Sequence, residues 1–304
     1  MMALTTELRR EGNDYVELGN DFLRCEIVPG VGGAISGLWF RDIPVLRCVP
    51  AMELQSPRKG GCFGLLPYSN RIGRGELHWR GETYILRTTQ GDEPHAIHGV
   101  GWQRAWRVVD QDACHVQLTY EHQADDCWPF PFLASQTISI DGSNLLLKLT
   151  YCNTSHEAAP VGLGWHPYFV KRADAHLAFQ TKGMWETAPD KLPTHRIESL
   201  GFLGNCADLT VDHCYDGWKG MAELRDEKLC IRISSDTNYL VTFTHPGVDF
   251  IAIEPVSHIS NAQQLAAGLG VSMISLGLRE LGANQVAQLE VKVRISATDK
   301  LFTG

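Results

Sequence analysis

The sequence predicts an all-β protein built as one large antiparallel β-sandwich, and three observations lead to this prediction. Apolar and polar residues alternate with period two in several segments, which is typical of strands with one face in water. The 29 glycines and 14 prolines supply turns between many short strands. No long segment has the period of an amphipathic helix, so alternating strands and helices are not expected.

The predicted elements follow the alternation along the chain. Clear strands are expected at 23–27, 116–120 and 289–295, and more deeply buried strands at 145–152 and 229–233. One or two helical turns are expected at 261–267. Because no linker, low-complexity tract or repeat interrupts the pattern, residues 1–304 are expected to form a single domain. Its function is then expected on the loops and on one concave face.

Composition excludes several classes of protein. At 304 residues and 44% hydrophobic content the chain can bury a large core, and its net charge of −8 argues against a nucleic-acid partner. No signal peptide is expected in Met1–Asp14, and no segment approaches the roughly 18 apolar residues of a membrane span. A cytoplasmic location is the expectation. The nine cysteines are odd in number and never spaced Cys-x-x-Cys, so we expect reduced thiols, mostly buried.

The first candidate site is the motif Gly164-Trp165-His166-Pro167-Tyr168-Phe169. Histidine is the side chain best suited to exchange a proton near neutral pH, and aromatic neighbours suit a pocket for the apolar face of a sugar. The alternative is a half-buried histidine that packs among aromatic rings at a strand end. The motif alone favours that alternative.

Two loops offer groups that hold a polar ligand. Asn70 and Arg71 present an amide and a guanidinium fork, which match vicinal hydroxyls, although Arg71 is equally suited to structural hydrogen bonds. His95 and His98 form a His-x-x-His pair without a third nearby ligand, so no metal site is expected. His98 is better suited to hydrogen-bond a substrate beside the ring of Trp102.

Two carboxylates complete the set. Asp212 precedes an aromatic cluster, and its alternative is an exposed turn aspartate. Glu254 shares one face of a strand with Phe250 and Ala252, so it ends an otherwise apolar face, and Pro255 is expected to stop the ladder. A carboxylate in such a place requires a partner or a task, and a raised proton affinity suits a general base.

In this order the motifs resemble the aldose 1-epimerases, also called galactose mutarotases. The resemblance rests on Asn70-Arg71-Ile72, His98-Gly99, the motif at 164–169, Val211-Asp212-His213-Cys214-Tyr215 and Ile253-Glu254-Pro255, and it covers nearly the whole chain. It implies a galactose mutarotase-like supersandwich that acts on free hexoses without a metal or organic cofactor. The residues around His166 and His98 differ from the best-studied members and resemble a shorter bacterial branch, which leaves the sugar open.

The resemblance also implies roles for the residues. His166 resembles the general acid and Glu254 the general base, while Asn70, Arg71, His98 and Asp212 resemble the residues that hold the substrate. Mutarotation needs a base for the C1 hydroxyl and an acid for the ring oxygen. We expect Glu254 to start as a carboxylate and His166 as an imidazolium, which predicts a bell-shaped pH profile. Stacking on the sugar is expected from Trp102 or Trp165.

Three other functions remain open from the sequence. A non-catalytic sugar-binding module would use the same aromatic and polar groups. A hexose-6-phosphate 1-epimerase would need a phosphate pocket, for which Arg58, Lys59 and Arg74 are the nearby candidates. A glycoside hydrolase would use Asp212 and Glu254 as its carboxylate pair but would leave His166 without a role. A monomer and a homodimer are both compatible with the sequence.

Overall fold

The computed structural model describes residues 15–88 and 93–298, so the Met1–Asp14 segment lies outside the described residues. Antiparallel strands account for most of the regular structure. The strands, in chain order, are β1 Val16–Gly19, β2 Leu23–Val28, β3 Ala34–Phe40, β4 Ile43–Pro44, β5 Gly64–Leu65, β6 Arg71–Ile72, β7 Glu76–Trp79, β8 Glu82–Ile85, β9 Ala96–Ile97, β10 Arg107–Gln111, β11 His115–His122, β12 Phe132–Asp141, β13 Asn144–Asn153, β14 Ala159–Val161, β15 Gly164–Trp165, β16 Tyr168–Val170, β17 His176–Phe179, β18 Gly183–Thr187, β19 Pro193–Glu198, β20 Phe202–Asn205, β21 Val211–Asp216, β22 Met221–Arg225, β23 Leu229–Ser235, β24 Tyr239–Thr244, β25 Phe250–Val256, β26 Arg279–Leu281 and β27 Val286–Ala297.

Helical structure is short. The helix α1, Ala262–Leu269, confirms the helical turns expected at 261–267, and it begins after Asn261, whose φ is 54°. Five 3₁₀ turns cover Ala51–Glu53, Pro57–Lys59, Gly73–Gly75, Gly101–Gln103 and Met273–Leu276. Across 15–88 and 93–298, no helix is long and apolar enough to cross a membrane.

Two large sheets form the body of the fold. One has nine strands in the order β10-β11-β12-β13-β27-β23-β22-β17-β20. The other has eight, in the order β19-β18-β21-β24-β25-β15-β5, with β16 also paired to β25. A smaller sheet has four strands in the order β1-β2-β3-β4. Three two-stranded sheets pair β14 with β26, β6 with β9 and β7 with β8. The all-β antiparallel class predicted from the alternation is confirmed.

The eight-stranded sheet is covered on both faces. Ile251 and Ile253 of β25 belong to the same cluster of buried side chains as Leu149 and Leu289 of the nine-stranded sheet. Ala252 on the opposite face of β25 belongs to a second apolar cluster, which also contains residues of α1. This division follows from strand alternation, because successive side chains point to opposite faces.

One expectation about an individual strand needs correction. The segment 145–152 is not buried on both faces: within β13 it alternates, with Leu145 and Leu147 buried and Leu146 exposed by 36%. The reason is that β13 lies between β12 and β27 in a sheet whose second face is open to solvent. The cysteines are all free thiols and six of the nine are buried, as expected.

Candidate active site

A row of side chains crosses the eight-stranded sheet on the face that carries the second apolar cluster. Trp185 pairs with Cys214, Cys214 with Val241, and Val241 with Glu254. The register that pairs Gly164 with Val256 and Tyr168 with Ala252 then places His166 directly opposite Glu254. The sheet itself therefore brings together the histidine and the carboxylate that the sequence singled out.

Two prolines shape the backbone around this pair. Pro167 and Pro255 lack an N–H, so the ladder between β25 and its partner strand loses a donor on each side of the pair. The expectation that Pro255 ends the strand is wrong, because β25 runs on to Val256, which pairs with Gly164 and Tyr239. The N–H of His166 donates to Phe63 O on the other edge, at 2.9 Å, so His166 and Glu254 form a non-hydrogen-bonded pair. Side chains approach most closely at such positions.

The two side chains meet in a buried environment. Nε2 of His166 lies 3.3 Å from Oε1 of Glu254, and the two residues are exposed by only 7% and 3%. Nδ1 of His166 and Oε2 of Glu254 are also buried, and neither has a hydrogen-bond partner within the described residues. Buried polar atoms without a partner are rare, and at a functional site they are the atoms that a substrate can satisfy.

Burial controls the protonation of the pair. It lowers the pKa of His166 to about 3, and the positive charge of Arg58 acts in the same direction. It raises the pKa of Glu254 well above its usual value, with a further contribution from the negative charge of Asp212. Both shifts favour the neutral forms because an ion is poorly solvated in the interior. The charged starting state expected from the sequence, carboxylate and imidazolium, is opposite to these shifts.

His98 lies beside His166, with 5.3 Å between the ring centres. The N–H of Asn70 donates to Nδ1 of His98 at 3.1 Å, and the N–H of His98 donates to Asn70 O at 2.8 Å. Burial lowers the pKa of His98 well below its usual value. We therefore assign the proton of this neutral ring to Nε2, which makes His98 a hydrogen-bond donor.

The other two expected binding residues are each held by a charged partner. Arg71 donates to both carboxylate oxygens of Glu93, at 3.4 and 3.2 Å. Asp212 Oδ2 lies 3.5 Å from the Nζ atom of Lys191. The charges of Asp212 and Arg71 act in opposite directions on Glu254, since Asp212 raises the pKa of that carboxyl and Arg71 lowers it. Sequence analysis missed Glu93 and Lys191 because each belongs to a loop without a recognisable motif.

Sequence analysis also missed the segment that fixes the Asn70 loop, which follows directly after β25. Nε2 of His258 accepts from the N–H of Ser69, Ser260 Oγ donates to Asn70 Oδ1, and Asn261 Oδ1 accepts from the N–H of Gly73. The helical turns at 261–267 were expected from the sequence, but the contacts of this segment with the Asn70 loop leave no local signal.

The aromatic residues divide into two groups. Trp165 is fully buried in the main core, so the expectation that it stacks on a sugar is wrong for this conformation. Trp102 belongs to the second cluster, and its ring centre is 5.6 Å from that of Phe63. Phe63, which sequence analysis missed, stacks on His166 with ring centres 4.9 Å apart and an angle of 22°.

A cavity of about 940 Å³ lies beside this site, and the central pair does not line it. Its lining includes Gln55, Arg58, Glu93, Trp102, Asp190 and Lys191. Neither His166 nor Glu254 lines it. Glu93 bonds Arg71, Lys191 pairs with Asp212 and Trp102 packs on Phe63, so one layer of side chains separates the cavity from the pair. We regard the geometry of the pair, rather than the open volume, as the centre of the site.

His95, the first histidine of the His-x-x-His pair, has a structural role. Nδ1 of His95 accepts from the N–H of Arg74 at 2.9 Å, and Nε2 lies 2.9 Å from Asp190 O. Both ring nitrogens of His95 are therefore bound to backbone groups, and His95 ties the two loops that border the cavity.

Comparisons with known proteins identify the family and the fold of this chain. The model of the aldose 1-epimerase family matches residues 14–268. The YphB protein of Escherichia coli K12 is 28% identical over 244 residues, which is 75% of this chain and 82% of YphB. A crystal structure of an Escherichia coli K12 protein superposes with a TM-score of 0.84 at 23% identity, over 93% of this chain and 99% of that one. The GalM/aldose epimerase homologue of C. elegans gives 0.79 at 16% identity, over 94% and 99%.

Proposed function

This chain belongs to the aldose 1-epimerase family, and from that membership we propose that it is a mutarotase that interconverts the α and β anomers of a free hexose. His166 and Glu254 are the proposed acid/base pair. Asn70, Arg71, His98 and Asp212 are the proposed substrate-holding residues. No metal or organic cofactor takes part in the proposed reaction.

The proposed chemistry needs two groups that share one proton. One group takes the proton of the C1 hydroxyl while the other gives a proton to the ring oxygen, so the C1–ring oxygen bond breaks and the aldehyde forms. Rotation about the C1–C2 bond and closure on the other carbonyl face return both protons. With a neutral pair, His166 accepts first and Glu254 donates first, and closure restores the starting state.

The observation that carries the proposal is the contact between His166 and Glu254. The sheet places the two side chains 3.3 Å apart, and each has a second buried polar atom without a partner within the described residues. A structural histidine and a structural carboxylate would have both polar atoms satisfied. One unpartnered atom on each group suits a hemiacetal, whose hydroxyl and ring oxygen are two adjacent sites for proton transfer.

The charges along the cavity favour a neutral sugar over a phosphosugar. Arg58 and Lys191 are accompanied there by Glu93 and Asp190, so the lining carries both signs. Arg74, one of the three cations expected for a phosphate pocket, is absent from the lining, and its 72% exposed side chain pairs with Glu76. A dianionic group would meet two carboxylates in the same lining as these cations.

The remaining proposals concern the whole chain. We propose that residues 1–304 form one domain and that the protein works in the cytoplasm, with a small sugar as its substrate and without nucleic acid or membrane as a partner. Support for the compartment comes from the nine free cysteines, since secreted proteins commonly pair theirs. A monomer or a homodimer is compatible with this function.

Polarimetry on freshly dissolved α-D-glucose and α-D-galactose tests the proposal. The purified protein should speed the approach to anomeric equilibrium, and equimolar hexose 6-phosphate should compete weakly. Strong competition would favour the hexose-6-phosphate 1-epimerase. Binding without acceleration would favour a sugar-binding module. Release of reducing sugar from a glycoside would favour hydrolysis by Asp212 and Glu254.

A further inference from the structure

The ring of His166 contacts two aromatic rings. Phe63 stacks on it with 4.9 Å between ring centres, and the tilted ring of Tyr168 lies at 4.4 Å with an angle of 40°. The centres of Phe63 and Tyr168 are 6.2 Å apart, so the two rings lie on adjacent sides of the imidazole. The guanidinium carbon of Arg47 lies 4.1 Å from the centre of the Tyr168 ring and 4.8 Å from that of Phe250. Arg47 thus covers the ring of Tyr168, which in turn contacts the ring of His166.

Arg47 is itself fixed at both its backbone and its side chain. Its N–H donates to Tyr168 O at 2.8 Å, so the backbone segment leading to Arg47 runs along β16. Its Nε and Nη2 donate to Gly60 O at 3.1 and 3.0 Å, and Nη2 also donates to Arg58 O. The guanidinium group therefore connects the ring of Tyr168 to the turn that carries Arg58 at the cavity.

Resting on the proposed function, we propose that Arg47 is a positioning residue that fixes the plane of the His166 ring through Tyr168. It touches no reacting atom. A guanidinium held by three hydrogen bonds provides a flat, immobile surface for Tyr168, and Tyr168 in turn limits rotation of the imidazole. Without that support His166 keeps its place between β15 and β16 but loses its alignment to Glu254.

The same geometry has an electrostatic consequence. Removal of the positive charge at position 47 raises the pKa of His166, because Arg47 and Arg58 both disfavour the imidazolium. The titratable groups that contact His166 are Glu254 on β25, His98 on the neighbouring loop, Tyr168 on β16 and Cys62, whose thiol bonds the His166 backbone. The charges of Arg58 and Arg47 act on the imidazole as well. Of these, a substitution at 47 changes one charge and leaves the proposed acid/base pair intact.

Two substitutions separate the shape of Arg47 from its charge. Arg47→Met keeps the length but removes the fork and the charge, and we expect kcat to fall about 10- to 100-fold with KM changed less than about threefold, since small misalignments have effects of this size. The acid limb of the pH profile should also move to higher pH. Arg47→Lys should lower kcat but leave the acid limb in place.

A matched control is Arg24→Met, which removes another arginine from an aromatic ring, that of Trp39 at 3.7 Å. It should leave kcat and the pH profile unchanged. Thermal melting identifies variants that fail to fold. If Arg47→Met fails to fold, the fall in kcat of Arg47→Lys is the test. Wild-type kcat in the folded Arg47 variants, together with an unshifted acid limb in Arg47→Met, would overturn the inference.

An NMR titration of the His166 imidazole separates this inference from the proposed function. If wild type accelerates no anomerisation, the proposed function fails, yet Arg47→Met should still raise the His166 pKa and broaden or shift its ring resonances. An unchanged titration and unchanged ring resonances in Arg47→Met would overturn the positioning role whatever the activity of the protein.

Discussion

At the scale of residues, the pair of His166 and Glu254 behaves as one unit that holds one proton. Burial lowers the pKa of the imidazole to about 3 and raises that of the carboxyl, so between these two values the proton resides mainly on Glu254. Such coupled groups titrate as a pair, and an acid/base reaction requires the intermediate, singly protonated state. The width of that pH window is therefore expected to set the pH range of the proposed activity.

The pH dependence of kcat/KM tests this description. A lowered histidine pKa keeps His166 neutral as the pH falls, so the acid limb should lie well below 6.5, the ordinary value. A raised carboxyl pKa keeps Glu254 protonated as the pH rises, so the alkaline limb should lie above 4.5 and should disappear in Glu254→Gln together with most of the activity. A limb centred near 6.5 that reports an imidazolium would contradict the neutral pair.

The chemically distinctive residues were the ones that sequence could identify. His166 and Glu254 stood out because a histidine among aromatic rings and a carboxylate ending an apolar strand face have high desolvation energies. Their contact was not predictable, since the register between two strands far apart in the chain is fixed by tertiary packing. Arg47 and Phe63 follow no local sequence pattern, and only their contacts in the folded structure identify them.

At the scale of elements, the segment from His258 to Gln264 holds the loop that carries Asn70 and Arg71. Besides the contacts of His258 and Ser260, Nε2 of Gln264 donates to Gly73 O at 2.8 Å and to Glu76 O at 2.9 Å. The beginning of α1 is thus bonded to the loop that carries Asn70 and Arg71. Because β25 leads directly into this segment, Glu254 and the loop share one rigid support.

Asn261→Gly tests this support. Glycine tolerates the left-handed backbone at this position, where φ is 54°, but it removes the acceptor for the buried Gly73 N–H. Loss of a partner for a buried donor destabilises by about 1–3 kcal/mol. We expect KM to rise several-fold, kcat to change less, and amide exchange at Gly73 to accelerate.

The control for that experiment is Asn284→Gly, at an exposed asparagine with a similar φ of 61°. It removes an asparagine side chain from a left-handed turn outside the site, so KM should stay at the wild-type value. Equal KM values for the two variants and wild type would show that the segment after β25 does not hold the loop.

At the scale of the whole molecule, the last strand joins the two halves of the chain. β27 lies between β13 and β23 in the nine-stranded sheet, and Leu289 pairs with Leu149. Alternation in the sequence was enough to predict these strands and an all-β class. Strand order was not predictable, because it depends on long-range pairing that leaves no period in the sequence.

Cooperative unfolding is expected from this arrangement. Leu289→Ala leaves a cavity in the core and should destabilise the protein by about 2–5 kcal/mol, shifting far-UV circular dichroism and tryptophan fluorescence together. Leu203→Ala, at a side chain that is 87% exposed, should have little effect. Separate transitions by the two probes would contradict a single domain over residues 1–304.

The most direct test of the proposed mutarotase activity is polarimetry on α-D-glucose and α-D-galactose with wild type, Glu254→Gln and His166→Asn. His122→Asn is the matched control, since His122 is also buried and stacks on Phe132 at 4.8 Å and 24°. We expect wild type and His122→Asn to accelerate anomerisation, and the two site variants to lose about 10²-fold or more of the acceleration. Full activity in either site variant would contradict the proposed acid/base pair.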